Sequence, residues 1–282
     1  MQGISEPTNG LVRPHPKDEG PVVGFRCGRA AAVTALRPTE RAMTQRLIAA
    51  ALLLATAVAP AGAGAAPQDQ LEVNVIPLRH ATFVLEFGEQ RIVVDPVAGL
   101  EYRGYSEPTA ILITDVHPDH WDSDTVAMLM GAQTKVVGPD ALPWGGIDTV
   151  LENGETADAE GIFIEAVPMY NIERGPRAGE LYHPKGRGNG YVVHMGFERI
   201  YIAGDTECTP EMQALQDITM AFVPMNLPYT MTPTEAAECV KAFKPAVVYP
   251  YHHRGSDVDV FVQALADTPE VEVRVLDWYP TQ

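Results

Sequence analysis

The sequence predicts an α/β protein built from two mixed β-sheets with helices on their outer faces. Three observations carry that expectation. The first half of the globular region is made of short alternating or wholly apolar runs separated by turn residues, the pattern of hairpins and buried strands. The second half alternates such runs with amphipathic helical segments. Residues 66–282 (282 − 65 = 217 residues) contain no internal repeat and no linker-like stretch, which suits one large domain.

Residues 1–42 show no sustained periodicity and are scattered with Pro, Gly and Arg. They read as an upstream extension, either disordered or produced by a mis-assigned start codon, and the second reading is preferred. Residues 43–65 form a three-part secretory signal: cationic Met43–Arg46, an apolar run from Leu47 to Val58, and the small-residue stretch Pro60–Ala66 around the cleavage point. The apolar run is shorter than the roughly 20 residues of a membrane span. The chain is therefore expected to be periplasmic or secreted after cleavage, with an uncleaved anchor as the runner-up.

Leu71 to Leu78, Ala81 to Phe87 and Arg91 to Asp95 read as strands, with Phe87-Gly88-Glu89-Gln90 turning between the last two. Ala110 to Thr114 is apolar enough for a strand buried on both faces. Asp122 to Met130 reads as a helix capped by Asp122. Strands follow at Thr134–Gly138, Ile162–Pro168, Gly190–Met195, Arg199–Ala203 and Ala221–Pro224. Thr232-Pro233-Thr234-Glu235 has the form of a capping box with proline at the first helical position. Ala236, Val240 and Phe243 then share a face that Lys241 and Lys244 avoid. Ala246–Pro250 is a strand, Ser256–Ala266 a helix with Ser256 as its cap, and Val271–Leu276 a closing strand.

The whole chain carries a formal charge of −17. Residues 66–282 hold 13 Lys+Arg and 33 Asp+Glu, a net of 13 − 33 = −20. Such a surface repels nucleic acid and anionic lipid. Cys208 and Cys239 form no CxxC pair, so a thiolate zinc site is not expected; an oxidising compartment would permit a disulfide between them. No G-x-S-x-G, P-loop or dinucleotide fingerprint is present.

The chemistry concentrates at Asp115-Val116-His117-Pro118-Asp119-His120, directly after the apolar run Ile111–Ile113. In an extended stretch Asp115, His117 and Asp119 project to one side, and His120 adds a fourth donor. Imidazole with carboxylate suits zinc, iron or manganese. Two later strand ends repeat the arrangement, Ile200–Ala203 running into Gly204-Asp205-Thr206 and Val247–Pro250 into Tyr251-His252-His253. Ligands in α/β folds gather at strand ends, so the three are expected to converge.

Thr114–His120 resembles the T-H-x-H-x-D-H signature of the metallo-β-lactamase superfamily. Gly204-Asp205-Thr206 is similar to its G-D-T, and Pro250-Tyr251-His252 to its late P-x-H. His80–Glu86 with Val94-Asp95-Pro96 looks like the opening hairpin of the branch that contains ascorbate-6-phosphate lactonase. The resemblance implies a four-layer αββα sandwich and a hydrolase using two divalent ions, zinc first, with manganese or iron as alternatives. It places His117 on the first metal, Asp119, His120 and His252 on the second, and Asp205 between them. His183 is the preferred further ligand of the first metal, and His194 the alternative. The family's first His is Asp115 here, which leaves that site either rebalanced toward harder ions or weakened. The resemblance thus implies hydroxide, generated on the metals, attacking a small ester, lactone or phosphodiester, with Asp119 and Asp205 catalytic. A non-catalytic metal-binding relative is the alternative.

Arg174, Arg177, Lys185 and Arg187 cluster around His183. They either clamp an anionic substrate, with Lys185 and Arg187 as contacts, or form a surface loop paired with nearby acids. Tyr229 either donates to an oxyanion or packs. The partner is a small molecule, and oligomeric state is open.

Overall fold

The computed structural model describes residues 72–280. The upstream extension, the signal segment and Leu71 lie outside the described residues. Among those described, no helix is long and apolar enough to cross a membrane.

Strands β1 (Asn74–Arg79), β2 (Thr82–Phe87) and β3 (Gln90–Val94) form an antiparallel meander, with a bulge between Pro77 and Arg79. β4 (Ala110–Leu112) joins β3 in parallel. Helix α1 (Ser123–Leu129), capped by Asp122 as expected, leads to parallel β5 (Lys135–Gly138) and the two-residue β6 (Thr149–Val150). The second sheet begins with antiparallel β7 (Thr156–Ala159), β8 (Ile162–Met169), β9 (Gly188–Met195) and β10 (Glu198–Ile202). After the short α2 (Pro210–Gln213) it turns parallel with β11 (Met220–Pro224). Helix α3 (Pro233–Phe243), β12 (Val247–Tyr251), α4 (Val258–Ala264) and β13 (Glu272–Val273) complete it.

The burial pattern stacks these into four layers. Phe83, Leu85 and Ile92 of one sheet pack against Ile164, Tyr191, Phe222 and Tyr251 of the other, forming the inner core. The outer face of the first sheet buries Val93 and Ile111 under Val126 and Leu129 of α1. The outer face of the second covers Tyr201 and Val223 with Val240 and Phe243 of α3 and Phe261 of α4. This is the αββα sandwich. Strands buried on both faces must be apolar throughout, and β4, β11 and β12 are fully buried.

The capping box at Thr232 and Glu235 is present with both reciprocal bonds. Elsewhere the local expectation needs correction. The cap of α4 is Asp257, not Ser256, because the Ser256 hydroxyl is taken by the Met225 carbonyl at the end of β11. The closing strand shrinks to Glu272–Val273, as only those residues reach β12. Strand β7 has the sequence Thr-Ala-Asp-Ala, with little intrinsic strand preference; its pairing with β8 creates it. A disulfide joins Cys208, just before α2, to Cys239 on α3.

Candidate metal centre

Five strand ends build one site. Ile113 continues the line of β4, and Thr114 is then pinned by the buried Asp95, which follows β3: the Asp95 carboxylate accepts from Thr114 N and Oγ1, both at 2.7 Å. Beyond it the chain turns instead of staying extended, as His120 N donates to His117 O at 3.0 Å. Asp115 and His117 consequently face one side of the site, and Asp119 and His120 the other.

Gly204 precedes Asp205 with φ +65, and a Cβ there would meet Met169 Sδ at 2.4 Å, so glycine is required. Three side chains without that freedom also sit in the left-handed region: His80 (φ 58), Asp95 (φ 46) and His252 (φ 46). Each costs on the order of 1–3 kcal/mol and persists only where the surroundings impose it. All three aim their side chains into the site.

The donors form overlapping clusters. Asp115, His117 and His183 make one, His120, Asp205 and His252 a second, and His80 and Asp119 share His252. Asp205 joins them. Its Oδ2 lies 3.4 Å from His120 Nε2 and 3.3 Å from His183 Nε2, and its Oδ1 lies 3.4 Å from His252 Nε2. His117 Nδ1 stands 2.6 Å from Asp115 Oδ2, and His183 Nε2 3.7 Å from it. Asp119 Oδ2 lies 3.4 Å from His80 Nε2 and 3.7 Å from His252 Nε2. His80 and His252 stack with ring centroids 3.7 Å apart. His194, the alternative to His183, is exposed mid-strand on β9 and stays outside this group.

Hydrogen bonds fix which imidazole nitrogen faces inward. Asp95 accepts from His120 Nδ1 at 2.9 Å, and Asn171 Oδ1 accepts from His183 Nδ1 at 2.7 Å. Both Nε2 atoms therefore face Asp205, the orientation in which a metal is bound. Burial opposes ionisation of Asp205, but the attraction of His252 and His120 outweighs it and holds the carboxyl well below its usual range. Burial also opposes protonation of His120, and Asp205 and Asp95 reverse it, raising that imidazole well above its ordinary value. For His80 burial prevails and lowers the ring to about 4.

A metal fits this donor set. Asp115 Oδ1, His120 Nε2, Asp205 Oδ1 and both ring nitrogens of His252 are buried without a hydrogen-bond partner. Buried polar atoms are rarely left so, and three of these residues, His120, Asp205 and His252, form one cluster of metal-type donors.

A cleft of about 570 Å³ opens onto the clusters, lined by His117, Asp119, His183 and Asp205 and walled by Tyr182, Asn226–Tyr229 and Arg254. Tyr229 belongs to this wall, its ring edge-on to Tyr182 with centroids 4.9 Å apart. Among the four cations of the loop before β9, only Arg187 reaches the site, with Nη2 3.1 Å from Asp115 Oδ2 and 3.2 Å from His117 Nε2. Lys185 does not: its ammonium pairs with Glu211 and lies over the Tyr170 ring. Arg174 pairs with Glu207 and Glu235, and Arg177 with Glu180. The expected clamp around His183 is thus replaced by one cation on the site and three on neighbouring acids.

His80, Asp95, Asn171 and Arg254 have functional positions that sequence reasoning missed. His80 and Asp95 each end a strand, the same signal that singled out Asp115, Asp205 and His252. Asn171 carried none: its role comes from folding the loop back, where it accepts from His183 N at 2.8 Å and donates to Tyr229 O at 2.8 Å.

Comparison with known proteins agrees with this fold. Residues 75–252 match the family model of the β-lactamase superfamily domain. A UPF0173 metal-dependent hydrolase of Pyrococcus abyssi is 28% identical over 221 residues, covering 71% of this chain and 96% of its own. The crystal structure of a Parabacteroides distasonis protein named as a metal-dependent hydrolase superposes with a TM-score of 0.65 at 33% identity, over 74% of this chain and 100% of the other. A Thermotoga maritima member of the metallo-β-lactamase superfamily, at 18% identity and TM-score 0.53, shares the fold over 72% of this chain and 98% of its own.

Proposed function

The chain belongs to the metallo-β-lactamase superfamily and is a metal-dependent hydrolase, and we propose that it is an exported one that uses two divalent ions to cleave a small ester, lactone or phosphodiester. Asp115, His117 and His183 would hold the first ion and His120, His252 and Asp119 the second, with Asp205 shared. Imidazole and carboxylate donors favour zinc, with manganese or iron as alternatives. The ester and lactone part of the range rests on the likeness of the opening hairpin to the lactonase branch.

When bound, such ions supply a water acidic enough to react at neutral pH and positive charge for the developing oxyanion. The protein supplies the rest. Asp119, with 48% of its side chain exposed to the cleft, is placed to take the proton of the attacking water. The bond from that oxygen to carbon or phosphorus forms, the bond to the leaving oxygen breaks, and Asp119 returns the proton to it. Tyr229 stands on the cleft wall, where its hydroxyl is available to the oxyanion. No Ser or Cys nucleophile is needed.

The observation that carries this reading is the Asp205 carboxylate, with one oxygen toward His120 and His183 and the other toward His252. Metal analysis and turnover on a panel of esters, lactones and phosphodiesters test it. Asp205→Ala should lose metal and activity together, by more than the about 10- to 100-fold that follows loss of an outer partner. Normal turnover in that variant would overturn the mechanism. Bound metal with no hydrolysis across the panel would favour the non-catalytic relative.

Export is supported by the Cys208–Cys239 disulfide, since such bonds persist mainly in oxidising compartments. N-terminal sequencing of protein from the native host should find a chain starting near Ala66. A start at Met1 or Met43 would count against it.

A further inference from the structure

A second cavity, of about 330 Å³, adjoins the cleft and shares His80, Pro118, Asp119 and Arg254 with it. Val97, Ala98 and Trp121 give its lining an apolar part, and Arg79 and Asp122 line it as well. The two cavities adjoin as one groove whose shared lining includes Asp119 and Arg254.

The charges of this groove are unlike those of the rest of the domain. All 13 cations of residues 66–282 lie within the described residues. Ten make an ion pair: Arg91 and Arg103 in the first sheet region, the four of the loop before β9, and Arg199, Lys241, Lys244 and Arg274. Among the described residues Arg79, Lys135 and Arg254 have no carboxylate partner, and two of these three line the same cavity beside the metal centre. In a domain with 33 acids, chance pairing would be easy for an exposed arginine. The two acids that line this cavity with them are already engaged. Asp119 is held by His80 and His252. Asp122 caps α1, accepting from Thr125 N at 2.8 Å and from Thr125 Oγ1 at 2.6 Å.

We propose that Arg79 and Arg254 form a subsite for the terminal oxyanion, carboxylate or phosphate, of a substrate whose scissile group lies at Asp205 and whose short apolar arm runs along Val97, Ala98 and Trp121. This rests on the hydrolytic reading of the metal centre and gives it a substrate class: small esters or lactones that carry a second, anionic end. The guanidinium fork suits either anion, and its selectivity comes from attraction to an otherwise repelled charge. The subsite replaces the expected clamp at Lys185.

Calorimetry on the metal-loaded protein tests it without requiring turnover. The probes are butyrate, glutarate and 4-phosphonobutyrate, which share one carboxylate for the metals and differ at the other end. Glutarate or 4-phosphonobutyrate should bind about 10-fold or more tightly than butyrate, a charge-assisted contact being of that size. The larger gain of the two identifies the anion. Arg79→Ala and Arg254→Ala should each reduce the gain, and together abolish it, with butyrate affinity and metal content unchanged. Arg79 adjoins His80 and Arg254 stands two residues from His252, so metal content and butyrate affinity measured in each variant separate loss of the subsite from disturbance of the centre. Equal affinity for the three probes, or a gain that survives both substitutions, overturns the subsite. Failure of the hydrolytic reading would appear separately, as tight dianion binding without turnover.

Discussion

The turn at residues 115–120 and the loop at residues 170–187 are both crowded with ionisable side chains, yet they behave in opposite ways. In the turn, all four donors reach the site within eight residues of a buried strand end. In the loop, one cation of four reaches it, and the others pair with Glu180, Glu207, Glu211 and Glu235. The difference is one of anchoring. The turn starts from a backbone fixed by β4 and by two bonds to Asp95, so each donor's direction is set locally. The loop spans two long strands and is free to satisfy its long side chains with whatever acids its path brings near. A dense run of charge is therefore informative about a site in proportion to how rigidly its backbone is held.

The largest effect should come from loosening the anchors. Asp95→Asn and Asn171→Ala remove partners that orient His120 and His183 but do not line the cleft. Metal affinity should fall about 10- to 100-fold in each, with circular dichroism unchanged. Affinity equal to wild type would mean that the ligand positions are set by the turn alone, and the comparison would fail.

A smaller effect should follow from cutting the loop's tie to α3. Glu235 closes the capping box at Thr232 and pairs with Arg174, so Glu235→Ala should cost about 1 kcal/mol in a denaturation experiment at neutral pH. Burial disfavours its charge, but Arg174 and Thr232 outweigh that and lower its pKa from 4.5. A depressed carboxyl stabilises the fold above its unfolded value, and that contribution is lost as pH falls through the folded one. The gap between wild type and variant should hold at pH 7 and narrow below about 4.5. A gap that widens on acidification would reverse the assigned sign.

The smallest effects should be at the loop's outer cations. Lys185→Ala and Arg177→Ala should leave melting temperature, metal content and kcat/KM on anionic substrates unchanged, because exposed pairs contribute little. A selective loss of kcat/KM in Lys185→Ala would restore the clamp and break the contrast between the two segments.

The sequence by itself determined the layer order, the strand and helix succession apart from β6, β7 and α2, and five positions that stand together in the centre: His117, Asp119, His120, Asp205 and His252. Each of those signals is local: an apolar run short enough to be a strand, ending in a donor. The tertiary structure alone decided between His183 and His194, because the choice depends on Asn171 and on which way a long loop folds. It alone showed the left-handed His80 and Asp95 as inward-pointing, since backbone strain at a strand end has no sequence mark when the residue is not glycine. It alone moved the available positive charge from Lys185 to Arg79 and Arg254. Ion pairing is a matter of which side chains meet across the fold, and residues 175 positions apart meet only when two sheets have packed.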